Sequence, residues 1–520
     1  MKNLKTYILA ITAILTVFAS QAADFTFNGI AYNIISLARQ TCEVTGKGGS
    51  LYYSGDIVIP EKVTDSYDNT EYTVIAIGKD AFSFSTDLKS LQLPNTIREI
   101  KKNAFGSCGL TTLVIPQSCT VLDESAFWGA SINTISIPGG IRKVGDHCFR
   151  MCRQLAEITL EEGVDSIGNY ALYGCETLTK VNFPKSLTTI GEISFGSCTA
   201  LENIEMPAGL VNVGKGMFVG CVKLQSIGAS AESQTLKSDN GILYSEDGSI
   251  LYEYPFGKPG TTFDVPAGTK TIWANAFQKN PSLTSIRLAD DTEVLGDYCF
   301  NEIPGLESID FGKSLLSIGS YALMNLPGIK EFKFPATLKS ISQMAVSKNT
   351  GLTKIELPNS VETLGDYAFF GCEKVTEIHL GTGLKQLDKV VFQRCYGVNE
   401  VFCAASVPPV CSGMQFQDDN YKKAKLHVPV GTADAYKSAD GWKEFSEIIG
   451  DIESAGVKEI AGDGMKIGFG HGVITLEGDS AVEIFDASGL KVYAGRGGEI
   501  RLPSGLYIVR TSTATVKVIL

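Results

Sequence analysis

The stretch Leu178-Thr-Lys-Val-Asn-Phe-Pro184-Lys-Ser-Leu187-Thr-Thr-Ile190-Gly191-Glu-Ile-Ser-Phe195-Gly-Ser-Cys198 is one copy of a phrase, Leu-x-x-Ile-x-Leu-Pro-x-x-Leu-x-x-Ile-Gly-x-x-Ala-Phe-x-x-Cys, that starts again at Leu201 and returns at one nearly fixed period along most of the chain. A unit so short cannot bury its apolar face alone. Copies must stack to share a core, and stacking leaves one long flank open to a partner. Thirteen anchors mark the copies: Phe82, Phe105, Phe127, Phe149, Leu172, Phe195, Phe218, Phe277, Phe300, Leu323, Val346, Phe369 and Phe392. They follow one another almost evenly, except for a long interval between Phe218 and Phe277.

Within each copy, a segment such as Leu201-x-x-Ile204-x-Met206 alternates inward and outward as a short strand does. A proline then closes it at 94, 116, 138, 184, 207, 335 and 358, because a residue without an N–H cannot extend a parallel ladder. Glycine stands four residues before the anchor at 78, 145, 168, 191, 214, 296, 319 and 365, which calls for either a positive φ or a close backbone approach. The Ala-Phe segment is expected to form a short helical turn. The predicted fold is thus a repeat solenoid of short parallel strands and helical turns, with β-rich caps and a small C-terminal β-sandwich.

The 230–265 interval carries two apolar runs around Asp247-Gly248, a hairpin signal, and is read as an insertion. A solenoid needs covered ends. Residues 23–74, where Phe25, Phe27, Ile30, Tyr32 and Ile34 alternate, read as an N-terminal β-rich cap; 75–400 are the repeats; 401–453 form the C-terminal cap. Residues 457–520 hold several short strand-like runs and read as a separate β-sandwich.

Composition narrows the function. The 520 residues are 44% hydrophobic and 20% charged, so the chain folds, and its net charge of -12 argues against nucleic acid as a partner. Residues 1–22, with Lys2, Lys5, an apolar run from Tyr7 to Phe18 and Ser20-Gln21-Ala22, read as a secretory signal peptide. No later segment is apolar enough to span a membrane. Seven of the thirteen cysteines (108, 152, 175, 198, 221, 372 and 395) fall three residues after an anchor and form a column inside the stack. Parallel Cβ vectors at strand spacing suit buried thiols better than disulfides. Cys403 and Cys411, outside the column and bracketing Pro408-Pro409, are the expected disulfide.

Reactive groups are sparse. His147, His379, His427 and His471 are far apart in sequence; there is no His-Glu-x-x-His and no Gly-x-Ser-x-Gly. Gly209-x4-Gly214-Lys215-Gly216 lacks the Ser or Thr of a phosphate loop, and Gly214 belongs to the glycine column. No cofactor and no catalytic residue are expected. The outward strand positions matter more. One column runs Gln92, Val114, Ser136, Thr159, Asn182, Glu205 and, after the insertion, Arg287, Asp310, Lys333, Glu356, His379, Phe402; beside it run Ser285, Ser308, Glu331, Lys354, Glu377, Glu400. Alternating charges in the later copies are expected to pair across the ladder. Exposed aromatic residues carry disproportionate binding energy, so the expected contact residues are Tyr244, Tyr252, Tyr254, His379, Glu400 and Phe402.

The phrase Ile-Gly-x-x-Ala-Phe-x-x-Cys and its period resemble the BspA-like class of leucine-rich repeats, found in surface proteins of gut and oral bacteria; the resemblance covers roughly residues 75 to 400. Some members of that class bind host matrix or plasma proteins, which implies an exported, non-catalytic protein that binds other proteins at the cell surface, in adhesion or host interaction. The alternative is a carbohydrate-binding accessory protein. Val482-Glu-Ile-Phe-Asp486, Ser488-Gly489 and Leu502-Pro-Ser-Gly-Leu-Tyr-Ile-Val509 are similar to type A C-terminal sorting domains of type IX secretion, implying passage to the cell surface. The chain ends Lys517-Val-Ile-Leu520, without the terminal basic residue common in that class.

Overall fold

The computed structural model describes residues 23–519 apart from 50, 453–455, 461–464, 471–472, 479–480, 488, 504 and 513–514, so the expected signal peptide at 1–22 and His471 lie outside the described residues. Two compact units result: Met1–Glu246 with Pro255–Lys258, and Asp247–Tyr254 with Pro259–Leu520.

In the first unit, the alternating N-terminal residues make antiparallel strands Phe25–Phe27, Ile30–Ser36 and Thr41–Thr45, and Glu71–Ile77 joins the last of these in parallel. Phe25, Tyr32 and Tyr72 cluster beneath them, ring centroids 5.4 and 5.5 Å apart. Each repeat then contributes to three sides. The first is the anticipated outward strand: Thr134–Ile137, Glu157–Leu160 and Lys180–Asn182 pair in parallel, with Thr134 opposite Glu157 and Glu157 opposite Lys180. The second is a row of two-residue strands, among them Lys143–Val144, Ser166–Ile167, Thr189–Ile190 and Asn212–Val213, also parallel. The third is the anchor side, where the expected helical turn is absent.

There the chain makes consecutive turns with left-handed residues two before and two after the anchor, as at Ser125 (φ 57°) and Gly129 (φ 67°) around Phe127. The reason lies in hydrogen bonding. A helix would spend its N–H groups on its own carbonyls; the turns instead aim the anchor N–H at the next coil, Phe105 N–H to Ala126 O at 2.7 Å and Phe149 N–H to Ala171 O at 2.7 Å. Among the described residues, helices occur only at Asp418–Lys423 and Ala433–Ser438.

Inside, the anchor rings stack from coil to coil: Phe82, Phe105, Phe127 and Phe149 lie 4.9 to 5.5 Å apart with planes within 17°. The column cysteines are free thiols. From Cys152 onward, each donates its S–H to the anchor carbonyl of the preceding coil, Cys152 to Phe127 O at 2.9 Å and Cys221 to Phe195 O at 3.1 Å, with Cys175, Cys198, Cys372 and Cys395 alike. Asn349 takes the same place with Nδ2 donating to Leu323 O at 2.9 Å. The role is thus that of a small buried donor, open to thiol or amide. The glycine column is explained by close approach and not by φ. A Cβ on Gly191 would meet Asn169 N at 2.6 Å, and one on Gly214 would meet Gly191 O at 2.2 Å.

The second unit repeats the plan, with one correction. Tyr254, one period before Phe277, donates its N–H to Ala276 O and stacks on Phe277 at 5.0 Å, so it is the anchor of a further coil inside the long interval. The strands flanking Asp247-Gly248, Ile242–Ser245 and Ile250–Glu253, fall in different units. Within the first unit, Leu236–Asp239 pairs antiparallel with Ile242–Ser245 around Asn240-Gly241. Outward strands Lys354–Glu356, Glu377–Leu380, Glu400–Cys403, Lys425–Pro429 and Glu447–Ile452 form one parallel sheet at the end of the repeats. Beyond it come two four-stranded antiparallel sheets sharing one core, with Ile467 and Ile474 from one and Ile484, Val509 and Val518 from the other.

Candidate recognition surface

The outward columns lie in the expected register. Lys354, Glu377, Glu400 and Lys425 are successive partners, and so are Glu356, His379, Phe402 and His427. At Lys333 and Lys354 the charges do not pair across the ladder as expected. Lys333 binds Glu331 of its own segment at 3.0 Å, and Lys354 binds Glu356 at 3.1 Å, since long side chains lean along a strand. Cross-coil pairs do occur, as Lys180 with Glu157 at 2.7 Å and, within the column itself, Arg287 with Asp264 at 3.1 Å.

At the end of the second unit, the column becomes a stack of three rings. Phe402 lies between His379 and His427 with both centroid distances 4.5 Å and planes within 13°. Carboxylates hold the imidazoles in place: Glu377 bonds His379 Nε2, Glu400 Oε2 lies 2.7 Å from His427 Nε2, and Asp451 Oδ1 lies 2.9 Å from His427 Nδ1. Burial holds His379 below the usual histidine range. As a neutral ring, it gives its Nε2–H to Glu377 and leaves Nδ1 as an acceptor, buried and without a hydrogen-bond partner among the described residues. Burial works upward on Glu377 and Asp451, but their hydrogen bonds to His379, and to His427 and Lys517, outweigh it and keep both below the ordinary carboxylate range.

From the terminal sheets, Lys517 Nζ reaches Asp451 Oδ2 at 3.0 Å and stands 5.2 Å from the Phe402 centroid. Beside it a cleft of about 520 Å³ separates the strand face from those sheets, lined by Lys333, Glu356, His379 and Phe402 on one side and Leu506 and Tyr507 on the other. Among the described residues, no group of three His, Cys, Asp or Glu side chains could hold a metal ion.

Of the six expected contact residues, three come together here: His379, Glu400 and Phe402, the first buried and the others half-buried. Tyr244 and Tyr254 are corrections. They are 2% and 4% exposed, the latter because it is a core anchor, so neither presents a ring to solvent. Tyr252 is half-buried, its ring edge-on to Trp273 at 5.6 Å. Cys403 and Cys411 are free thiols as well, on different strand rows of the coil. Burial raises them to about 11 and about 12. His427, Asp451 and Lys517 were not anticipated: His427 lies 25 residues past Phe402, off the period, and the other two lie beyond the repeats.

The sequence matches the model of the BspA type leucine rich repeat region over residues 66–139, 120–240 and 262–406. No curated protein matches it significantly. Among solved structures, the pneumococcal vaccine antigen PcpA is similar in fold, with 18% identity, 83% of this chain and 99% of that chain covered, and a TM-score of 0.51. A leucine rich cell surface protein from Faecalibacterium prausnitzii aligns at 23% identity over 72% of this chain and 93% of its own, TM-score 0.49. A leucine-rich repeat protein from Eubacterium ventriosum aligns at 25% identity over 52% and 78%, TM-score 0.45. With its repeat signature matched over more than half its length, the chain belongs to the BspA type leucine rich repeat region family.

Proposed function

We propose that this is an exported, non-catalytic protein that binds other proteins at the cell surface, in adhesion or host interaction, through the outward strand face of its repeats. Residues 1–22 act as the secretory signal, 23–74 and 401–453 cap the repeats of 75–400, and 457–520 form a β-sandwich with a sorting role. One observation carries the reading. In the first unit, strand-face side chains such as Gln92, Val114, Ser136 and Glu205 stand exposed, Val114 at 83%, on a frame whose inward neighbours Leu91, Leu113, Ile135 and Ile204 are buried. A broad, mixed polar surface with few aromatic residues suits a hydrated protein interface. Carbohydrate binding is the weaker reading. The turn-side rings Tyr298 and Tyr321 stack on each other at 4.6 Å and 3°, covering a face that a sugar would need.

The test is capture from matrix and plasma proteins on the immobilised chain lacking residues 1–22. A discrete protein, displaced by free chain and lost when Val114→Arg is introduced, is the expected result; binding confined to a glycan array would replace the reading. For the sorting role, deletion of 457–520 followed by cell fractionation should abolish surface exposure, and unchanged exposure would refute it.

A further inference from the structure

Lys517 brings a cation from the terminal domain to the ring stack on the strand face. Three carboxylates, Glu377, Glu400 and Asp451, surround the stack, each hydrogen-bonded to one of its histidines. Lys354, on the same face, already pairs with Glu356. Lys517 enters this collar from the strand Thr515–Ile519, at 3.0 Å from Asp451. Lys517 Nζ lies over the Phe402 ring, 5.2 Å from its centroid, beside the two imidazoles that stack on it. Asp451 bonds the ammonium directly, Glu377 acts on it through its charge, and the aromatic stack offers a flat apolar wall for its methylene stem. A second line of approach runs along the cleft, where Gly505 faces Glu356 and Tyr507 and Leu506 face the same strands.

We propose that the His379–Phe402–His427 stack with its carboxylate collar is a seat for a lysine side chain, filled by the chain's own Lys517, so that the terminal domain covers the last part of the recognition face. A protein partner that uses this part must first displace the terminal domain. The seat accounts for three features together: paired carboxylates on both nitrogens of His427, the half-burial of Phe402, and a lysine on the terminal strand only 30% exposed.

Backbone hydrogen exchange on the full chain tests this. Lys517→Met should speed exchange at Thr515–Ile519 and Glu447–Ile452 at least tenfold, while Lys517→Arg, which retains the charge, should stay within about threefold of the parent. Exchange at Ser317–Ile318 and Ser340–Ile341, deep in the repeats, serves as the folding control and should not change. Unaltered exchange in Lys517→Met would overturn the proposal, and so would Lys517→Arg opening as far as Lys517→Met, because the contact would then be one of shape and not of charge. Exchange reads docking alone, so a failed capture experiment would leave this result standing, and the reverse also holds.

Discussion

The outward strand faces of the two units are built on the same frame and carry different chemistry. In the first unit the column runs through small or neutral residues, Ser136, Thr159 and Asn182, linked by modest bonds such as Asn182 Nδ2 to Thr159 Oγ1 at 2.9 Å. At the end of the second unit the equivalent column is Glu356, His379, Phe402 and His427, tied together by carboxylates and approached by Lys517. The inward residues hardly differ between the two: Phe149 and Phe369 are both fully buried. The frame therefore sets the fold, and the outward positions are free to vary for recognition or for intramolecular docking.

If the frames are equivalent, deleting an anchor should cost alike in both units. Phe149→Ala and Phe369→Ala should each lose about 3 to 5 kcal/mol by denaturant titration; a loss in only one would break the comparison. The next effect concerns the buried donor. Asn349→Ala strands the carbonyls of Leu323 and Val346 and should cost about 1 to 3 kcal/mol, whereas Cys198→Ala removes a weaker S–H donor and should cost about 1 kcal/mol.

Acid should then separate the two faces. His379 has a folded pKa below its ordinary 6.5, so the unfolded chain takes up the proton first, and its stabilising contribution is whole above pH 6.5 and falls as the pH drops below that value. The depressed carboxyls Glu377 and Asp451 act at lower pH, where stability is lost as the pH falls from the ordinary carboxylate range through their folded pKa values. Thermal melts of His379→Gln should therefore show a shallower decline just below pH 6.5 than the parent; identical slopes would remove His379 from the account. The smallest effect is at the exposed charges. Lys333 is 83% exposed, and Lys333→Gln should shift stability by no more than about 0.5 kcal/mol in the same melts.

The repeat frame was legible because the same residue types recur at a fixed period: anchors, prolines and glycines each announce one side of a coil. Three features were harder to read. The left-handed turns use residues as different as Ser125, Tyr298 and Val390, so no residue type marks them, and only the hydrogen bonds between coils explain them. The coil of Tyr254 was hidden because its anchor is a tyrosine, and the turn signals at Asn240-Gly241 and Asp247-Gly248 interrupt the repeat phrase just before it. At the surface, the column spacing brought His379, Glu400 and Phe402 to one place, but Asp451 and Lys517 arrive from segments outside the period, and a repeat pattern cannot report on them.

The central claim is that the strand side, not the turn side, is the recognition face. The most direct measurement is affinity for a captured partner after single arginine substitutions at Ser136 and Asn203, exposed on outward strands, and at Tyr170 and Lys279, left-handed residues two before Leu172 and two after Phe277 on the turn side, with melts to establish folding. The account predicts at least a tenfold loss for the strand-face changes and less than twofold for the others. Loss confined to the turn side would contradict it.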